Sequence, residues 1–157
     1  MQAFKFKIRI MVNKIAEVEV SYKPKMLVDY SISNSRKSFE LMMEHWDKNI
    51  IEMQEEVKVI LLNRKNKVLG IYSLAKGGIT SCVVDVRIIL SIALKTLSTG
   101  IILIHNHPSG SLNPSRDDKQ ITEQLKKSCE IMGIELLDHL IITNNGYFSF
   151  ADEGLLQ

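Results

Sequence analysis

Residues 101–118 read IILIHNHPSGSLNPSRDD, and within them two imidazoles and a carboxylate recur at spacings that suit a divalent metal. If the apolar run IILI continues as a strand through His107, then His105 and His107, two residues apart, project from one face and can reach a single ion. A strand ending in such a pair at its C-terminal edge also sets it where α/β sheets commonly form their sites. Loop histidines satisfied by hydrogen bonds are the alternative that HxH alone leaves open. Downstream, Ser115 is placed to cap a helix in which Asp118 is the third residue and Ile121, Leu125, Cys129 and Met132 form an inward stripe. Asp118 stands three residues before Ile121 and so leans toward the buried face. Ser-x-x-Asp also has the form of a capping box, in which both side chains only satisfy backbone donors. A carboxylate turned toward the core needs more, because an unpaired buried charge costs several kcal/mol, whereas a divalent cation would compensate it. Two neutral imidazoles and one carboxylate leave a fourth zinc position for water, as catalytic rather than structural zinc sites do.

The elements that must position these residues are legible as periodicities. VKVILL and VLGIYSL flank the polar turn NRKNK and read as an antiparallel strand pair, followed by a loop at Gly77 and Gly78. Asp85 caps an expected helix through Ile88, Ile89, Ile92, Ala93 and Leu97, with Gly100 as its stop. The strand IILI, a loop from His105 to Pro114, the helix from Ser115, the strand LLDHLIIT and an Asn-Gly turn into YFSF complete the order. Upstream, Ser35 or a neighbouring serine caps a helix carrying Phe39, Met42, Met43, Trp46 and Ile50. The alternation in KFKIRIMV and AEVEVSY suits a two-stranded ribbon, whose exposed edge could complete the sheet or reach a neighbouring subunit. The expectation is an α/β fold, a mixed sheet flanked by helices, with residues 1–50 as a ribbon-and-helix extension and 51–157 as the metal-binding domain.

Composition narrows the function classes. The chain has 157 residues, 45% hydrophobic and 24% charged, and a net charge of +2, too balanced for a protein whose main work is gripping a phosphate backbone. Residues 1–25 hold six Lys or Arg against two Glu, and Arg64, Lys65 and Lys67 cluster at a turn tip. No apolar run approaches a membrane span and no signal-peptide core is visible, so the expected location is cytoplasmic. Cys82 and Cys129 form neither a disulfide framework nor a CxxC pair, as in a reducing compartment.

HxHPSG, the seven residues between His107 and Ser115, and the ending PSxxD resemble the JAMM (MPN, or JAB) metalloprotease signature in its RadC-type form. The likeness takes in residues from about 53 to 157, with ILLNRKNKVLG, LLDHLIIT and FADEGLL also similar to that family. The resemblance implies a JAMM/MPN, cytidine-deaminase-like architecture with one Zn2+ bound by His105, His107 and Asp118. It implies Ser115 as the group that orients or stabilises the tetrahedral intermediate, and an upstream glutamate as general acid/base. Counting back from Asn63 places Glu55 at that glutamate's position, with Glu56 as the alternative; solvated carboxylates are the plainer reading of both. The implied activity is zinc-dependent hydrolysis of a peptide or isopeptide carbonyl in a protein or peptide substrate. The alternative is a RadC-like DNA repair or recombination accessory that binds DNA or protein with a non-catalytic metal. RadC-type proteins usually carry a helix-hairpin-helix-like region before this domain, and the sequence shows no sign of one.

Overall fold

The computed structural model describes residues 21–22, 29–78 and 83–156. The expected N-terminal ribbon, apart from Ser21 and Tyr22, and Cys82 lie outside the described residues. The elements are α1 (Ser35–His45), β1 (Glu56–Leu62), β2 (Val68–Lys76), α2 (Val86–Lys95), β3 (Gly100–Asn106), α3 (Arg116–Ile131), β4 (Glu135–Thr143) and β5 (Gly146–Ser149). They form one mixed sheet in the order β2-β1-β3-β4-β5. β3 and β4 are parallel and joined through α3, while the other neighbours are antiparallel.

β1 and β3 are buried along their whole length, which explains why VKVILL and IILI read as apolar runs rather than as half-buried alternations. Val57, Val59, Leu61, Ile101 and Leu103 face α2 and α3, meeting Ile89, Ala93, Leu125 and Cys129. Ile60, Leu62, Ile102 and Ile104 face the other way, onto Leu41 and Met42 of α1 and onto Trp46 and Ile51. Among the described residues, no helix is long and apolar enough to cross a membrane.

Several local expectations are corrected. Asn34, not a serine, caps α1, its Oδ1 accepting from Lys37 N at 2.9 Å. Helix α2 ends at Lys95; Leu97 takes the left-handed conformation (φ 55°) and Gly100 is already the first residue of β3. Met132 lies at the C-cap of α3, 43% exposed, and Thr122 takes an inward position instead. Thr143 pairs with Gly146, so the last turn is Asn144-Asn145. A bulge near Leu137 interrupts the β3–β4 register: Leu136 faces α2 and α3, yet so does His139, which pairs with Leu103. A plain period of two would have sent His139 to the opposite face.

The end of β3 also holds the start of β1. Asn106, fully buried, accepts from Glu56 N at 2.7 Å and donates to Ile51 O at 2.6 Å and Gln54 O at 2.9 Å. Asn106→Ala would leave these backbone groups without partners in the interior. We expect it to lower stability by about 2–4 kcal/mol in urea unfolding, from about 1–3 kcal/mol for each unsatisfied group after partial relaxation.

Candidate metal centre

Strand alternation sets the first donors. β1 runs antiparallel to β3 with Val57 opposite His105, so Val57, Leu103 and His105 share the face toward α3. His107 follows the last ladder residue but keeps the β4 pairing, its N–H donating to Ile142 O at 3.1 Å. Gly110 N–H then bonds His107 O at 3.0 Å, and at φ 77° Gly110 takes a conformation that side-chain-bearing residues rarely adopt. This turn returns Ser111 O to within 2.8 Å of His107 Nδ1. A carbonyl only accepts, so Nδ1 carries the hydrogen and the neutral ring presents a bare Nε2 lone pair.

The third donor comes from the start of α3. Ser115 Oγ accepts from Asp118 N at 3.0 Å and Asp118 Oδ2 accepts from Ser115 N at 2.6 Å, which is a complete capping box. The same carboxylate faces the histidines. His105 Nε2 lies 3.1 Å from Asp118 Oδ1, His107 Nε2 lies 3.6 Å from Oδ2, and the two imidazole Nε2 atoms are 3.0 Å apart. The cap and the metal reading of Ser115-x-x-Asp118 therefore coexist in one geometry: the box holds the carboxylate and its remaining oxygen surface meets the imidazoles. Tetrahedral zinc with N and O ligands at about 2.0–2.2 Å spaces them about 3.3–3.6 Å apart; the 3.6 Å separation falls at the top of that range and the 3.0 and 3.1 Å separations lie a little under it. Among the described residues, His105, His107 and Asp118 are the group of metal-ligating side chains that converges in this way. The donor set fits a divalent cation.

A cleft of about 520 Å³ opens over this triad, lined also by Glu55, Val57, Ser115, Ile121 and His139. The two adjacent glutamates part company here. Glu56 is buried on the other face, 2.7 Å from Lys76 Nζ and 3.7 Å from Lys58 Nζ. Glu55 enters the cleft, its backbone bracketed by Glu55 N to Gly78 O at 3.1 Å and Gly77 N to Glu55 O at 2.8 Å. The two glycines thus extend the β1–β2 pairing beside Glu55.

The electrostatics follow from burial and from the imidazoles. Burial raises the Glu55 pKa above the usual 4.5, only partly opposed by His105 and His107. Burial also works to raise that of Asp118, but without a cation, hydrogen bonds from the protonated rings of His105 and His107 win and hold the carboxyl well below the carboxylate range. The Asp118 hydrogen bond in turn raises the pKa of His107 above 6.5.

His139 extends the site inward. It is 1% exposed, its Nε2 is 2.8 Å from His105 Nδ1, and its Nδ1 is 2.6 Å from Thr122 Oγ1. Burial holds its pKa well below 6.5. Neither the pairing of His139 with His105 nor the part played by Thr122 was read from the sequence. The available signal was a hydroxyl four residues after Asp118, in a helical stripe otherwise apolar.

A mixed sheet with helices on both faces, a histidine pair closing its central strand and an aspartate from the crossover helix together define a domain of the JAB class. A model of the RadC-like JAB domain matches residues 32–155, and the chain belongs to that family. Similar proteins include a UPF0758 protein of Flavobacterium johnsoniae, 52% identical over 101 residues, covering 64% of this chain and 44% of that protein. Another, from Porphyromonas gingivalis, is 48% identical over 104 residues (66% and 46%), and one from Clostridium kluyveri is 44% identical over 132 residues (82% and 55%). The chain spans about half the length of these relatives.

The raised Glu55 pKa gives a signed expectation for the metal-free protein. Below the unfolded value of 4.5 the carboxyl is protonated in both states and contributes nothing; above its folded value the buried charge opposes folding. Metal-free Glu55→Gln should therefore have a higher urea midpoint than the parent at pH 7, with the gap closing as pH falls below 4.5. An unchanged or lower midpoint at pH 7 would contradict the assignment.

Proposed function

We propose that this domain is a hydrolase of the JAMM type, holding one zinc ion through His105, His107 and Asp118 and cleaving a peptide or isopeptide bond. The observation that carries this reading is the convergence of two imidazole lone pairs and a carboxylate at the floor of the cleft that Glu55 also lines. A bound zinc supplies a water of lowered pKa and an electrophile for the carbonyl oxygen. Glu55, lining the cleft beside the three ligands, would serve as general base, its carboxylate taking a proton from the attacking water and passing it to the leaving nitrogen. Its raised pKa makes it a stronger base than a solvated glutamate. Ser115, whose Oγ accepts from Asp118 N in the helix cap, lines the cleft and is the hydroxyl placed to donate to a developing oxyanion. The substrate we propose is a protein or peptide chain, and the location cytoplasmic.

The DNA-accessory alternative draws on the Arg64, Lys65 and Lys67 cluster, but Lys67 pairs with Asp29 at 2.7 Å, which partly neutralises that tip. No described feature favours it over hydrolysis.

Elemental analysis of protein purified without added metal tests the reading. The expected result is about one zinc per chain, lost in His105→Ala/Asp118→Ala and retained in Glu55→Gln. On peptide and isopeptide substrates, Glu55→Gln should lower turnover by at least about 100-fold, the scale of a missing general base. Absence of metal, or equal metal in parent and double variant, would overturn the proposal; salt-sensitive DNA binding in such a protein would favour the accessory reading.

A further inference from the structure

With a cation at the three ligands, one arrangement of hydrogens satisfies the whole polar chain behind His105. Thr122 Oγ1 lies 2.5 Å from Asp118 O and 2.6 Å from His139 Nδ1. The carbonyl of Asp118 can only accept, and a threonine hydroxyl has a single hydrogen, so Thr122 donates to that carbonyl and must accept from His139. His139 therefore carries its hydrogen on Nδ1. Its ring is 1% exposed and stacked on Phe150, with centroids 4.7 Å apart, and its two nitrogens meet only a hydroxyl and another imidazole. No carboxylate balances a charge on it, so the ring is neutral and its Nε2 is a bare acceptor. His105 Nδ1, 2.8 Å away, must then be the donor, and in a neutral His105, the form that ligates a cation, the Nε2 that points at Asp118 and His107 carries no hydrogen.

We propose that Thr122 and His139 are positioning residues that lock His105 in the tautomer whose Nε2 lone pair is available to a metal. The inference rests on the reading of His105 as a zinc ligand. It adds that the ligand's readiness is decided two side chains away, by a helix hydroxyl whose hydrogen is committed to the helix backbone. The same logic explains why a threonine interrupts the apolar stripe of α3. A valine of similar shape would fill the space but accept nothing; His139 could then move its hydrogen to Nε2, donate to His105 and force a hydrogen onto the liganding nitrogen.

Zinc affinity measured by chelator competition for the parent, Thr122→Val and Thr122→Ser tests this. We expect Thr122→Val to bind zinc about 10–100-fold more weakly, the scale reported by changes in groups that orient a liganding histidine. Thr122→Ser, which keeps the hydroxyl, should restore the affinity, an outcome that simple loss of packing would not produce. Ring 15N spectra of the zinc-loaded parent provide a second readout that needs no variant: His139 should show a protonated Nδ1 and a bare Nε2. If Thr122→Val does not fold, that spectrum decides. Hydrogen on His139 Nε2, or equal affinity in parent and Thr122→Val, would overturn the inference while leaving the metal site standing. A parent protein that takes up no zinc would overturn the metal reading and this inference with it.

Discussion

A strand covered on both faces can offer polar side chains only where it leaves the core, and β3 does so over His105 and Asn106. The alternation of the chain sends these two in opposite directions. His105 turns toward α3 and Asp118; Asn106 turns toward α1 and grips the segment leading into β1. That segment delivers Glu55 to the cleft. One two-residue step thus holds both halves of the proposed machinery in a fixed relation, and every other element serves to bury the strand that makes the step.

Economy of the same kind appears at the start of α3. Backbone donors at a helix N-terminus need acceptors, and an anionic acceptor also suits the local dipole. Asp118 meets that need and, through the rest of its carboxylate, faces the two imidazoles. On the far side of the sheet, Glu56 meets lysines and is structural. Two neighbouring glutamates differ in role because a strand has two faces, and only one of those faces opens into the cleft.

Much of this was legible in the sequence. The HxH pair on an apolar strand, the Ser-x-x-Asp cap, the apolar runs of β1 and β3 and the opposed faces of Glu55 and Glu56 all follow from periods of two and 3.6. What was not legible depends on long-range packing. The bulge near Leu137 that turns His139 toward His105 has no signature in LLDHLIIT, since it arises from β4 fitting against β3. Leu97 in a left-handed conformation and Asn34 as a cap were missed because the more usual residues, Gly100 and Ser35, stood nearby. Asn106 read as a loop residue because its three partners lie fifty or more residues away.

The spacing of the cluster has a further consequence. His105, His107 and Asp118 fall within one short stretch of chain, whereas Glu55 stands fifty residues before His105. Closing a short loop costs little entropy, and the cost grows only slowly with length, so an ion held by the three ligands would cross-link a segment that the local turn and cap already fold back. Glu55 arrives only when β1 has docked between β2 and β3. The proposed ion capture and the proposed bond cleavage thereby have separate folding requirements: damage confined to β1 would displace Glu55 while leaving the segment from His105 to Asp118 folded back on itself.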